Sequence, residues 1–506
     1  MQPDLEKPWQ PLPEAALRQR QADKLRAYLR DTVLPFSAHY KKAWQGFDPR
    51  DLRTLDDLRH LPFTVKEDLA DGPDALREFV LTPDPALLAR RPKTILRALF
   101  QGKKRVQEGF EREFRPLLMT STTGRSAEAV PFFYTEHDIA VLKAAGAKVM
   151  RVCGAQRDWR MINMFPFAPH LAFWITHYAG TEFGVFVLGT GGGKSMGTEG
   201  NLRLLKRLQP NVLIGMPTFL YHVLSAAAEE GTRAPQLKKI VLGGEKVPVG
   251  MRRKLRKLAG ELGASYVDVL CTYGFTEAKM AWAECPYPHD KASGGYHIPP
   301  ELGIVEIVDP TTGAPVGLGK PGEIVFTPLE ARGSVVLRYR TGDVIDGGLF
   351  YDACPHCGWG LPRLVGNISR KSEVREMRLE KLKGTLVDFN ALEHVLDDCE
   401  WVGAWQLELR KRHNDPLALD ELILHVALLN GVGVNGGGEN GERAKSELAA
   451  LFAAKTEVSP NAIILHSEEE MRQLQGVGRE LKEMRVVDHR PVNHHPAPII
   501  TGGQAS

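Results

Sequence analysis

The chain has 506 residues, more than one compact domain normally holds, and a division by ~150 residues per unit gives roughly three. Hydrophobic residues at 43% and charged residues at 25% are the balance of a globular protein with a sizeable core. A formal net charge of +3 excludes a globally basic nucleic-acid coat and an acidic tail protein, and six cysteines are too few for a disulfide scaffold.

Met1 to Pro8 lacks the charged-then-apolar pattern of a secretory leader, and no run reaches the ~18 apolar residues that cross a bilayer. The most apolar patch, His170 to Ala179, is interrupted by His170, Thr176 and His177. These features predict a cytoplasmic α/β protein with no transmembrane segment and no nucleic-acid partner.

The three- and four-residue spacing of Leu17, Leu25, Tyr28 and Leu29 predicts a helix from Glu14 to about Lys42. Thr54 to Leu61 predicts a short capped helix stopped by Pro62. Arg90 to Arg105 holds seven basic residues and no acidic one. Such a cluster is a solvated helix face, or a docking element for an acidic partner, a phosphate or a membrane surface. From about Leu117 to Pro310, β-rich runs (Arg160 to Phe165, Gly184 to Leu188, Asn211 to Gly215, Lys239 to Gly243, Tyr266 to Leu270) alternate with helical segments such as Asn201 to Leu208 and Val249 to Leu262. That alternation predicts βαβ units, whose ligands gather at loops leaving the carboxyl ends of strands. The loops expected there are Gly189 to Gly197, Gly215 to Thr218, Gly243 to Glu245 and Thr272 to Glu277. After Asp343 the chain reads as loop-rich to Gly366. A small α+β unit follows, with strands at Trp405 to Leu409, Glu421 to Val426 and Ala462 to Leu465, and a helix from Glu442 to Ala454. Gly431 to Glu442 reads as a mobile loop and His494 to Ser506 as a disordered tail.

Several motifs carry chemistry. Thr120-Ser-Thr-Thr-Gly-Arg125 offers hydroxyls, backbone N–H groups and one cation, a set suited to polyphosphate oxygens or simply to a turn. Gly189-Thr-Gly-Gly-Gly-Lys-Ser195 resembles a nucleoside-triphosphatase phosphate loop, but its glycine spacing fails. In Tyr273-Gly-Phe-Thr-Glu277 the tyrosine can stack on a base and the glutamate can ligate Mg²⁺. Arg338-Tyr-Arg-Thr-Gly-Asp343 adds a carboxylate able to accept from both ribose hydroxyls.

In this order, and with Leu61-Pro-Phe-Thr-Val-Lys-Glu-Asp-Leu69 and Gly243-Gly-Glu245, these motifs make the chain resemble the adenylate-forming superfamily, in particular its phenylacetate-CoA ligase branch. The resemblance runs from about Thr54 to Arg490. It implies an α/β fold with a large multi-sheet N-terminal domain over 1–368 that binds ATP and the acid, including a basic insertion at about 85–112 and a metal subsite at about 285–357. A small mobile α+β lid over 369–492 would follow, and then the tail 493–506.

The resemblance also implies roles. Thr120, Ser121, Thr122, Thr123, Gly124 and Arg125 would hold the β,γ-phosphates. Gly244 and Glu245 would border the adenine, Tyr273 with Gly274 would stack on it, and Thr276 would touch the α-phosphate or the acyl oxygen. Glu277 would hold Mg²⁺, Asp343 the ribose with help from Arg370, and Lys482 would stabilise charge as the carboxylate attacks phosphorus. Phe165, His170, Phe173, Trp174, Gly215 and Pro217 would line the acid pocket, whose aromatic rings favour a flat apolar body. The sequence departs from the family pattern at Ser121 and at Gly124-Arg-Ser126, where Arg125 keeps the charge. It also departs at the hinge Ser369-Arg-Lys-Ser372, around Gly384, and at Leu481 before the lysine.

Cys285, His297, Cys354 and Cys357 offer thiolates and an imidazole suited to tetrahedral zinc, with His356 an alternative to His297 and plain free thiols the alternative to a metal. Cys153, Cys271 and Cys399 read as packing residues. The function expected is ATP- and Mg²⁺-dependent conversion of a small, aromatic carboxylic acid to its acyl-adenylate, then acyl transfer to CoA, with structural Zn²⁺ and with a homodimer left open. The alternatives are a carrier-protein thiol, an amine or another nucleophile as acceptor, activation of a small oxyanion such as nitrite, or a catalytically inactive nucleotide-binding regulator.

Overall fold

A computed structural model describes residues 12–69, 75–122, 129–370, 374–377, 385–399, 401–412, 420–429, 439–455, 459–477 and 484–490. Thr123, Gly124, Arg125, Ser126, Lys371, Ser372, Gly384, Leu481, Lys482, most of the glycine-rich segment and the tail lie outside them. The chain divides into two compact units, Met1–Ser372 and Glu373–Ser506.

In the first unit the N-terminal helix Glu14–Tyr28 buries Leu17, Leu25 and Tyr28 as its spacing requires. It does not run on unbroken to Lys42. Pro35 has no N–H for the next helical bond, a π-helical turn occupies Leu29–Val33, and Ser37 restarts the helix Ala38–Ala43 by accepting from Tyr40 N. The capped segment is a 3₁₀ turn, Leu55–His60, with the Thr54 N–H donating to Asp57 Oδ2 at 2.8 Å.

A hairpin of β1 (Pro116–Ser121) and β2 (Pro131–Thr135) follows. Then come β3 (Arg160–Pro166), β4 (Phe186–Gly191), β5 (Val212–Gly215), β6 (Lys239–Leu242) and β7 (Asp268–Phe275), which pair in parallel in the order β7-β6-β5-β3-β4. The alternation of runs and helices therefore gives the expected βαβ layer. Its far side is antiparallel: β7 pairs β8 (Met280–Glu284), which pairs β9 (Tyr296–His297). A four-stranded sheet contains β10 (Gly303–Val308), β11 (Gly322–Pro328), β12 (Tyr339–Ile345) and, beyond the short β13 (Gly348–Phe350) and β14 (Arg363–Val365), β15 (Ile368–Arg370). The stretch from Asp343 to Gly366 thus holds two short strands, β13 and β14, where a loop was expected.

Two further expectations change. Gly189 to Gly197 is no loop: β4 runs to Gly191 and the helix Gly192–Leu208 begins at once, with Gly191 at φ 70° and Gly192 at φ 66° making the turn. Tyr273-Gly-Phe lies inside β7, with only Thr276–Ala278 forming a turn after it. Gly274 fits there because a Cβ would stand 2.7 Å from Ala281 Cβ on β8.

The second unit has β16 (Val374–Met377) paired with β17 (Thr385–Asp388), and a sheet of β18 (Val402–Lys411), β19 (Asp420–Leu428), β20 (Ala462–Leu465) and β21 (Val486–Asp488) in the order β20-β19-β18-β21. Its core gathers Trp405, Leu407, Leu424, Leu448 and Phe452, and its long helix is Glu439–Lys455. Among the described residues no helix is long and apolar enough to cross a membrane.

Candidate active site

The carboxyl ends of β3, β5, β6 and β7 converge. A Cβ on Gly243, after β6, would lie 3.4 Å from Phe165 Cζ and 2.5 Å from Thr272 Oγ1, and one on Gly244 would lie 3.8 Å from Met216 Cγ. Gly244 stands at φ 82°, so backbone rather than side chain faces the space above. Glu245 accepts from Thr218 Oγ1 at 3.0 Å through Oε2, while its Oε1 is buried without a partner.

Two carboxylates come from different sheets. Asp343, next to a glycine at φ 72°, accepts from the Tyr273 hydroxyl at 2.8 Å and pairs with Arg370 Nε at 3.1 Å, its register partner on β15. Burial, and then Asp343, hold the Tyr273 phenol well above its ordinary range, so it stays a donor. Glu277 accepts from the Tyr339 hydroxyl at 2.8 Å, and burial pushes its carboxyl up. Tyr339 is itself placed by the Leu61-to-Leu69 motif: Thr64 N donates to Arg338 O at 3.1 Å, Arg340 N to Thr64 O at 3.0 Å, and the Arg338 guanidinium stacks on Phe63. That motif is a splint under β12 rather than a ligand contact. Tyr339 escaped the sequence reading, although it stands four residues before Asp343 in the same motif, a spacing that suits one face of a strand.

Thr120 is buried with its hydroxyl on Tyr134 at 3.2 Å, and Thr122 Oγ1 accepts from Val130 N at 3.0 Å. Ser121 and His170 meet, since His170 Nδ1 lies 2.9 Å from Ser121 O; the His170 Nε2 is buried with no partner. Phe173 and Trp174, on the helix Leu171–Phe183, extend an aromatic row that includes Phe167 and His177. A Cβ on Gly189 would come within 3.1 Å of Phe173 Cε2, and one on Gly191 within 2.3 Å of Phe167 Cδ2. The glycine-rich run thus clears room for rings, which agrees with the failed phosphate-loop spacing. Phe165 is buried beneath Gly243, and Gly215 and Pro217 close the end of β5.

Beside Thr276–Ala278, Lys279 is buried at φ 55° and forms an ion pair with Asp138 at 3.3 Å. Burial raises the Asp138 carboxyl, but the lysine and the N–H groups of Thr135, Arg332 and Gly333 outweigh it and hold the pKa below the ordinary 3.8. A depressed carboxyl stabilises the fold above its unfolded pKa, and that stability disappears as pH falls below 3.8 through the folded value. Lys279→Met is expected to cost about 3 kcal/mol in chemical denaturation at neutral pH, because Asp138 stays buried without its cation. An unchanged midpoint would refute the pairing.

Cys285, His297, Cys354 and Cys357 come together, with all four ligand atoms within 4.8 Å of one another. Gly295 O at 3.1 Å and Ala283 O at 3.3 Å are the acceptors that an Nδ1–H of His297 needs, and the other ring nitrogen, Nε2, lies 3.3 Å from Cys357 Sγ. His356 does not join them; its Nε2 lies on Ala292 O at 2.9 Å. A Cβ at Gly294 would sit 2.7 Å from Cys354 Sγ, so the turn that wraps the cluster leaves no room for a side chain. Cys153, Cys271 and Cys399 are buried free thiols in the core.

Residues 135–329 match the family model for AMP-binding enzymes. The chain is 27% identical to a phenylacetate-coenzyme A ligase of Thermus thermophilus over 74% of each chain. It is also 27% identical to one of Aromatoleum evansii over 60% of this chain and 61% of that one. Among solved structures, a 2-hydroxyisobutyryl-CoA ligase in the postadenylation state superposes with a TM-score of 0.74 at 18% identity, covering 96% of this chain and 94% of that one.

Proposed function

We propose that the chain, whose residues 135–329 match the AMP-binding enzyme model, is an adenylate-forming enzyme that joins ATP to a carboxylic acid, releases pyrophosphate and passes the acyl group from the acyl-adenylate to CoA. The observation that carries this reading is the set Tyr273, Asp343, Arg370 and Glu277, drawn from two sheets to the carboxyl edge of the parallel strands. In such a sheet that edge is where ligands bind.

The residues divide the work. Asp343, paired with Arg370, would accept from the ribose hydroxyls, and Tyr273 would lay its ring along the base. Gly244 and Gly274 would let the adenine lie against backbone. Thr120 to Arg125 would receive the β,γ-phosphates, and Thr276 the α-phosphate or the acyl oxygen. Glu277 fits a Mg²⁺ ligand: its carboxylate is positioned by Tyr339 and raised by burial, both of which a cation would exploit. Bound there, Mg²⁺ would neutralise phosphate charge. Phe165, Phe173, Trp174, Gly215 and Pro217 would hold a flat, aromatic acid, with His170 Nε2 free to meet its polar end. The cysteine–histidine cluster fits structural Zn²⁺, which would cross-link the segments around residues 285–297 and 354–357. Thiolates held ready for such a metal must stay reduced, which supports a cytoplasmic setting.

The test is acid-dependent exchange of pyrophosphate into ATP across a panel of aromatic and aliphatic acids. No exchange with any acid, despite ATP binding, would sink the reading. AMP release that runs equally fast without CoA would replace CoA with a carrier-protein thiol, an amine or another acceptor. Asp343→Asn is expected to raise KM for ATP about tenfold while leaving KM for the acid alone, since it weakens two charge-assisted hydrogen bonds. Equal changes in both constants would argue against a ribose contact.

A further inference from the structure

The segment Arg90 to Arg105 plays no part in the site described above. It folds as a helix, Pro92–Gln101, joined through Gly102 at φ 84° to a second helix, Lys103–Phe114. The hairpin is fastened by its flanks: Leu88, Val106 and Phe114 are buried, and Phe114 meets Phe36 edge-on at 5.6 Å. The first helix itself buries no residue. Thr94 and Ala98, half-buried, are its inner face.

Its apolar side chains are on the other side. At 100° per residue, Ile95, Leu96, Leu99 and Phe100 fall within one arc of about 140°. They are 48%, 56%, 77% and 82% exposed. An amphipathic helix that packs small residues inward and turns leucine and phenylalanine to water is the reverse of the globular pattern. Around this face stand Arg90, Lys93, Arg97, Lys103, Lys104 and Arg105, with no acidic residue between 90 and 105. Lys103, Lys104 and Arg105 form no ion pair among the described residues.

We propose that this hairpin is a membrane-surface element, with Leu99 and Phe100 entering the headgroup–acyl boundary of an anionic phospholipid bilayer and the lysines and arginines lying on its phosphates. The charge distribution selects this occupant. Two copies paired face to face would set each basic rim against its own kind, whereas an anionic surface neutralises all of it. An acidic protein would meet the basic rim, but it gives no reason for the two most exposed apolar side chains to stand together at the turn. Basic residues flanking an apolar face describe an interfacial helix.

The experiment is cosedimentation of the full chain with sucrose-loaded vesicles, phosphatidylglycerol–phosphatidylcholine against phosphatidylcholine alone. The wild type is expected to partition onto the anionic vesicles, less at high salt. Leu99→Asp/Phe100→Asp should reduce that partition roughly tenfold or more, and Lys103→Glu/Lys104→Glu about tenfold. All these proteins should keep acid-dependent pyrophosphate exchange in solution, which shows that they fold and separates this outcome from failure of the proposed chemistry. Equal partition by wild type and variants, or none by either, overturns the proposal. So does a dimer in native mass that the Leu99→Asp/Phe100→Asp pair converts to monomer without any vesicle binding, since the face would then be a self-interface.

Discussion

Lys482→Ala is expected to lower acid-dependent pyrophosphate exchange about 10³-fold, some 4 kcal/mol of transition-state stabilisation. The attack of a carboxylate on the α-phosphorus brings two anions together, so a cation at the bridging oxygen acts most where charge is developing. Lys482 lies in 478–483, outside the described residues, but the chain on either side of it is held. Met484 N donates to Gln475 O at 2.9 Å, Gln406 Nε2 to Met484 O at 2.7 Å, and Leu407 N to Arg485 O at 2.8 Å. The substitution therefore removes a charge from a segment whose ends the β18 strand already fixes. A distinguishing readout comes from supplying the acyl-adenylate directly: thioester formation with CoA should persist in Lys482→Ala, because the step that needs the cation has been bypassed. Loss of both half-reactions in parallel would mean misfolding, and retention of exchange would remove Lys482 from the chemistry.

Cys354→Ser is expected to abolish binding of one zinc per chain and to destabilise the first unit strongly. Structural zinc in small peptides contributes about 10–16 kcal/mol of apparent binding energy at neutral pH, far more than a domain's net stability, although a large unit has other support. Elemental analysis of the purified chain reads the metal, and thermal denaturation with and without a chelator reads its contribution. A folded wild-type protein without metal, whose melting is indifferent to chelator, would leave these residues as thiols. Cys271→Ser, which alters a buried thiol outside the cluster, is the control and should keep the zinc.

Much of this was legible in the residues. The parallel layer followed from alternation alone, and the Cys285, His297, Cys354 and Cys357 set was found by spacing and ligand softness. What sequence could not supply was partnership. In sequence Tyr273 and Asp343 stand as two separate nucleotide contacts, whereas the fold joins them by a hydrogen bond across 70 positions of chain. Tyr339 carries no signal in sequence, because a tyrosine in a strand reads as packing until its hydroxyl is seen on Glu277. Thr64, too, is ordinary in sequence and becomes informative only when Tyr40 and Leu337 are its neighbours. The glycines at 189 and 191 misled in the same way, since their reason is the volume of Phe167 and Phe173 on other elements.

The register of the large sheet has a mechanical consequence. His297 is paired with Ala283 on β8, and Ala283 with Thr272 on β7, the residue before Tyr273. Three residues thus form one rung of hydrogen-bonded backbone about 10 Å long, at roughly 4.8 Å per strand. A clamp at one end of a rung sets the stiffness at the other. An ion held at His297 would damp the breathing of β9 and β8 and so narrow the positions open to the Tyr273 ring, while its removal would let that rung slacken before the fold gives way. Such a chain would answer metal starvation first with weaker nucleotide affinity and only later with unfolding.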